Sequence, residues 1–243
     1  MRVARFVHQG VESYGVLKAD GEIIDLKRIS ALGKRSVPCS IDELVSLGFE
    51  AESLLRELLS ELPDDQKEQV ALKKEEVALK APVIAPQKIV CLGLNYRDHA
   101  EEVGAAVPDE PAIFMKPRTA IVGPEEPVVK PRFVTQLDYE VELAIVIGRK
   151  GKNVSSSDAK DYIFGYTVLN DMSARDIQFK DGQWTRGKSF DTFAPMGPCL
   201  TTAEQIGDPN NLHLITRVNG ETRQDSSTRL MIFNVYEIVH LLS

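Results

Sequence analysis

Three carboxylates carry the strongest chemical signal in this chain. The run Leu137-Asp138-Tyr139-Glu140-Val141-Glu142-Leu143-Ala144-Ile145-Val146-Ile147-Gly148 reads as a mostly apolar strand over Tyr139 to Ile147. Side chains alternate faces along a strand, so Glu140 and Glu142 point the same way, opposite Val141, Leu143, Ile145 and Ile147. Adjacent carboxylates repel and are costly to bury; a cation between them relieves both problems. A second strand, Phe164 to Asn170, runs into Asp171, and Ser173 is placed to cap a following helix. Three carboxylates without a thiolate suit a hard ion, Mg²⁺, Mn²⁺ or Ca²⁺, over zinc. The same spacing also fits a solvated strand edge followed by a turn acid, so spacing alone leaves both readings open.

A second group is Asn95-Tyr96-Arg97-Asp98-His99-Ala100-Glu101-Glu102. On a helix His99 and Glu102 lie on one face, where the carboxylate can orient the imidazole and raise its basicity for general-base work. A charged pair on a surface helix has the same pattern. Flanking Gly93 and Gly104 allow the segment to move as a lid. Arg175, Gln178 and Lys188 supply groups for a substrate carboxylate or a developing enolate; each taken alone also reads as a surface polar residue. Gly182 to Ser189 matches the phosphate-loop pattern G-x-x-x-x-G-K-S. That loop needs a buried strand before it and a helix after it. Here a charged, helix-like segment precedes it, and Pro195 and Pro198 preclude a long helix after it, so the match is set aside.

These residues need elements to hold them. Residues 1–80 read as a small N-terminal β/α domain. Its strands are Arg2 to His8, Tyr14 to Lys18 and Glu22 to Leu26, its helix is Ile41 to Leu62, the stretch from Gln66 to Lys80 is charged, and Pro82 and Pro86 mark a linker. Residues 81–243 are strand-rich: Ile89 to Leu92, Ala112 to Met115, Tyr139 to Ile147, Ile163 to Leu169 and Leu212 to Val218. Asn219-Gly220 marks a hairpin. Helices are expected over Tyr96 to Val103, Ser173 to Phe179 and Ile232 to Leu242. The class is α+β and β-rich, rolled or barrel-like.

The bulk numbers agree. Of 243 residues, 43% are hydrophobic, enough for a packed core. Lys+Arg 29 against Asp+Glu 36 leaves a net charge of -7, which offers no global attraction to nucleic acid or to an anionic membrane. No apolar run is long enough for a signal core or a membrane span, and Cys39, Cys91 and Cys199 lack metal-ligand spacing. Reduced, mostly buried thiols and a cytoplasmic location are expected.

Taken in order, four blocks resemble the fumarylacetoacetate hydrolase family. They are Asn95-Tyr96-x-x-His99-x-x-Glu102, Asp138-Tyr139-Glu140-Val141-Glu142-Leu143, Asn170-Asp171-Met172-Ser173-Ala174-Arg175-Asp176-x-Gln178 and Gly187-Lys188-Ser189-Phe190-Asp191. The resemblance runs from about Ala85 to the last residue. It implies the family's mixed β-roll, a homodimer, and Glu140, Glu142 and Asp171 as ligands of Mg²⁺ or Mn²⁺. His99 and Glu102 become the catalytic pair on a lid helix, Lys188 supports the enolate, and Arg175 and Gln178 lie near a small α-oxo acid substrate. The implied reaction is hydrolysis of a carbon–carbon bond in an acylpyruvate-like substrate through a metal-bound enolate. The alternatives on the same site are oxaloacetate decarboxylation, or isomerisation and decarboxylation of hydroxyhepta-diene-dioate-type diacids. Family members continue past a helix like Val235 to Leu242 into a Gly-Asp strand and a Thr-Gly-Thr-Pro loop. The apolar helix at Ser243 has no C-cap, so a further C-terminal segment is expected.

Overall fold

The computed structural model describes residues 1–33 and 36–243. The first strands are β1 (Arg2–His8), β2 (Val11–Leu17) and β3 (Glu22–Asp25), followed by helices α1 (Leu26–Ala31), α2 (Ile41–Ser46), α3 (Glu50–Glu61) and α4 (Asp64–Val70) and short strands β4 (Ala71–Lys73) and β5 (Ala78–Lys80). Next come β6 (Ile89–Gly93), α5 (Arg97–Glu102), β7 (Ala112–Lys116), β8 (Ile121–Val122), β9 (Leu137–Asp138), β10 (Val141–Ile147) and β11 (Ile163–Asn170). The chain continues through β12 (Ser173–Ala174), α6 (Arg175–Asp181), α7 (Thr185–Lys188), β13 (Ala194–Thr202), α8 (Ala203–Ile206), β14 (His213–Val218), β15 (Glu221–Ser227) and α9 (Val235–Leu242). The result is a mixed α+β, sheet-rich molecule.

Its main sheet runs in the order β10-β11-β13-β1-β2-β3-β4, with β5 also on β1 and β8 also on β13. The N-terminal strands join the later ones through β1 and β13, antiparallel, with Val3 opposite Leu200. One core packs Leu44 of α2 and Leu55 and Leu58 of α3 against Val3, Tyr14, Val16, Phe164 and Leu200. A second sets Val141, Leu143 and Ile145 against Tyr166, Leu214, Val235 and Val239. Ala144 and Val146 pack toward the first core, so β10 is covered by apolar groups on both faces.

Several elements differ from the sequence reading, each for a physical reason. The expected helix from Ile41 to Leu62 is two helices, because Gly48 turns the chain with φ +58. The charged stretch from Gln66 to Lys80, given no elements from the sequence, contributes to α4 and forms β4 and β5. Two of its apolar residues pair in the sheet: Leu72 lies opposite Ile23 and Leu79 opposite Phe6. Ser173 does not cap a helix; it is paired with Asp138 in a two-stranded ladder, and α6 starts after Ala174 without a side-chain cap. The Asn219-Gly220 hairpin forms as expected, with both residues at positive φ and Val218 opposite Glu221. Cys39 is exposed, Cys91 partly buried and Cys199 buried, and all three are free thiols.

Candidate active site

The carboxylates gather where β10 begins and β11 ends. These strands are antiparallel, with Val141 opposite Asn170. Pairing continues one residue further, since the Asp171 amide donates to the Glu140 carbonyl at 2.8 Å. Glu140 therefore stands just ahead of β10 rather than inside it, and its own amide donates to Asn170 Oδ1 at 3.1 Å. This register brings Glu140 and Asp171, separated by thirty-one positions in sequence, to one point.

Cations interleave with the acids. The helix pair α6 and α7 returns Lys188 to the cluster, where its ammonium donates to Glu140 Oε2 at 2.6 Å and Asp171 Oδ2 at 2.9 Å. Gly187 makes that return feasible, because a Cβ there would come within 2.9 Å of the Gln178 amide nitrogen. Arg175 lies 2.6 Å from Glu140 Oε1, donates to Asp138 through Nε at 2.8 Å and to Gln178 Oε1 through Nη1 at 3.0 Å. Lys116, the last residue of β7, is wholly buried with its ammonium 2.6 Å from Asp171 Oδ1. Its three protons go elsewhere, to the carbonyls of Met172, Lys188 and Phe193 at 3.1, 2.6 and 2.9 Å. Asp171 Oδ1 is thus close to a positive charge yet accepts no hydrogen bond.

The electrostatics follow from this arrangement. Burial opposes ionisation of Glu140, but Lys188 and Arg175 outweigh it and hold the carboxyl below its ordinary range. Burial raises the Asp171 carboxyl, with Lys188 and Lys116 only partly offsetting it. Glu142 has no direct cation. Burial first, then the charges of Glu140 and Asp171, push it well above the carboxylate range, with the Tyr96 phenol beside it. Burial also pushes the nearby Cys91 thiol up to about 12, which keeps it protonated and inert.

Among the described residues, no group of three or more His, Cys, Asp or Glu stands drawn together as a metal cluster. The Lys188 ammonium stands between Glu140 and Asp171. The donor chemistry nevertheless fits a hard divalent ion: an all-oxygen set, one buried oxygen without a proton donor on Asp171, and an uncompensated carboxylate on Glu142. Glu140, Glu142 and Asp171 are the residues that would hold it.

His99 and Glu102 pair with each other, Nδ1 to Oε2, at 3.4 Å on α5, with side chains 41% and 79% exposed. They lie on the solvent side, not in the carboxylate cluster. The residue before that helix lies nearer the acids: burial first, and then the Glu142 charge, raise the Tyr96 phenol, whose oxygen is buried without a hydrogen-bond partner. Asn95 anchors the same turn: its side chain donates to the Phe233 carbonyl at 3.1 Å and accepts from the Phe233 amide at 2.9 Å.

Lys116 and Phe114 were not singled out from the sequence. The available signal was a lysine closing an apolar strand, Ala112-Ile113-Phe114-Met115-Lys116, directly before Pro117. Phe114 lies under Lys188, with the ammonium 5.0 Å from the ring centroid.

The family model described as Fumarylacetoacetate (FAA) hydrolase C-terminal matches residues 88–243, which contain this whole cluster. The chain belongs to the fumarylacetoacetate hydrolase family. It is 43% identical over 225 residues to the mitochondrial oxaloacetate tautomerase fahd2 of Xenopus laevis, covering 92% of this chain and 67% of that protein. Among solved structures it resembles a fumarylacetoacetate hydrolase of Exiguobacterium antarcticum, at 36% identity and TM-score 0.81, covering 100% of this chain and 81% of that one. It also resembles a maleylpyruvate hydrolase of Sphingobium sp. SYK-6, crystallised with manganese(II) and pyruvate, at 29% identity and TM-score 0.80, covering 100% and 83%. The chain spans about two thirds of the length of the first curated relatives it matches, from 64% to 69%. Among its described residues no helix is long and apolar enough to cross a membrane.

Proposed function

We propose that this family member is a divalent-metal enzyme acting on a small α-oxo diacid by proton transfer at the carbon beside the oxo group, with oxaloacetate keto–enol tautomerisation as the reaction. The observation that carries the reading is the buried cluster in which Lys116, Asp171, Lys188, Glu140, Arg175 and Asp138 alternate in charge. Such a site has fixed charges ready for a doubly charged substrate and for its enolate. Mg²⁺ or Mn²⁺ on Glu140, Glu142 and Asp171 would supply Lewis-acid polarisation of the substrate's oxo group. Lys188 neutralises developing negative charge on the enolate oxygen. Arg175, whose other donors are taken by Asp138, Glu140 and Gln178, has one Nη1 proton left to donate to a substrate carboxylate. His99, oriented by Glu102, carries the proton once α5 folds over the substrate. The name of the Xenopus relative, which aligns with nearly the whole chain, favours this reaction over the others.

A second reading, carbon–carbon bond hydrolysis of an acylpyruvate, is favoured by the His99/Glu102 pair and by the likeness to a maleylpyruvate hydrolase. There His99 would take a proton from an attacking water. The two separate in one assay series: enol-oxaloacetate decay by ultraviolet absorbance, and pyruvate release from an acylpyruvate, each with Mg²⁺ and with Mn²⁺. Tautomerisation predicts rapid ion-dependent enol decay without pyruvate release. Enol decay no faster than in buffer, or an Asp171→Asn variant with an unchanged rate, would remove the proposal.

A further inference from the structure

The three cations of the cluster are not held alike. All three protons of Lys116 are committed to main-chain carbonyls. Arg175 is held by Asp138 and Gln178 as well as by Glu140. Among the described residues Lys188 has no such outside anchor: the hydrogen-bond partners of its ammonium are Glu140 Oε2 and Asp171 Oδ2. Those are two of the four carboxylate oxygens that Glu140 and Asp171 offer a divalent ion. An ammonium and a divalent cation at one position repel strongly, and burial weakens the screening.

We infer that Lys188 is a displaceable internal counter-ion that competes with the divalent cation for Glu140 and Asp171, and that the face of Phe114 receives its ammonium on displacement. The inference rests on the reading of Glu140, Glu142 and Asp171 as cation ligands. Phe114 suits this second role. It is 3% exposed, its ring already lies 5.0 Å from the Lys188 ammonium, and the edge of Trp184 holds it at a centroid distance of 6.0 Å and 69°. A cation over an aromatic face is attracted by the ring quadrupole, most strongly where water is excluded. The ammonium therefore leaves the carboxylates without returning to solvent, and it stays beside the site where an enolate oxygen needs it. Metal-free stability and metal affinity are set against each other through one side chain.

The test is Mn²⁺ binding to chelator-stripped full-length protein, read by the electron paramagnetic resonance of free Mn²⁺ and by the Mn²⁺-induced shift in melting temperature. Lys188→Gln should bind Mn²⁺ at least about tenfold more tightly than wild type, since even water-screened repulsion between +1 and +2 at contact distance exceeds that factor. Phe114→Leu should bind it several-fold more weakly, because the displaced ammonium loses its place. Equal or weaker binding by Lys188→Gln overturns the competition. If wild type binds Mn²⁺, Asp171→Asn does not, and Lys188→Gln matches wild type, the ligand reading stands and only the competition falls. If neither wild type nor Lys188→Gln binds Mn²⁺, the ligand reading falls and takes the competition with it. Should Lys188→Gln fail to fold, Phe114→Leu decides: unchanged affinity overturns the inference.

Discussion

Replacing Lys116 by methionine tests whether the buried cluster holds the fold together as well as preparing a site. Methionine nearly matches the length of the stem and keeps its apolar contacts, so the change is confined to the ammonium. Three main-chain carbonyls, of Met172, Lys188 and Phe193, lose their donor, and Asp171 loses the charge at 2.6 Å. Those carbonyls belong to the β11–β12 turn, to the end of α7 and to the entry into β13. A single ammonium thus ties three separate segments together. Stripping one partner from a buried ion pair costs about 3–5 kcal/mol, because the other charge stays desolvated. For a chain of this size each kcal/mol moves the melting temperature by about 2–4 °C, so the variant should melt roughly 6–20 °C lower. Thermal unfolding followed by circular dichroism in chelator-containing buffer measures this. A urea midpoint that falls at unchanged slope would identify the loss as one of stability. Arg186→Ala serves as the contrast, since the Arg186–Asp181 pair is exposed and its removal should leave the melt unchanged. A Lys116→Met protein melting within about 2 °C of wild type would refute the argument.

Other expectations follow from single features. Asn234→Ala removes the side chain that caps Tyr236 and Glu237 at the start of α9, and should cost about 1 kcal/mol in denaturant unfolding. Gly93→Ala would place a Cβ 1.6 Å from Trp184 Cζ3, so the indole that supports Phe114 has to move; a loss of about 1–3 kcal/mol and a change in tryptophan fluorescence are expected. Glu142→Gln relieves the repulsion from Glu140 and Asp171, so it should raise the metal-free melting temperature while weakening Mn²⁺ binding; a lowered melting temperature would contradict the electrostatic account. Of the thiols, Cys39 should react with a maleimide in the folded protein and Cys199 only after unfolding, as mass spectrometry would show.

Much of the site was legible in the sequence because its chemistry is local. The apolar alternation of Val141 to Ile147, the acid that follows Asn170 and the Asn-Gly turn at 219–220 are short-range patterns, and each constrains two or three torsions that sequence periodicity reports directly. The break at Gly48 and the strands inside Gln66 to Lys80 were less legible. There the apolar residues are few, and only pairing with Ile23 and Phe6 decides which face they take. The pattern Gly182 to Ser189 makes the same point from the other side. Its flanks already exclude a phosphate loop, and only the fold shows that Lys188 stands on two carboxylates.

Residue types by themselves determined that three carboxylates, two cations and a histidine–glutamate pair were available, and that the acids needed a positive partner. Tertiary structure alone decided which positive group meets which acid. Lys116, 55 positions before Asp171 in the chain, becomes its neighbour through the course of β7, and its ammonium is spent on carbonyls that no sequence pattern can anticipate. The opening trio of Glu140, Glu142 and Asp171 is therefore not three equivalent ligands. Glu140 is compensated twice over, Asp171 keeps one buried oxygen without a hydrogen-bond partner, and Glu142 stands beside like charges. That inequality comes from long-range packing, which sets distance and desolvation, the two quantities on which charge interactions depend.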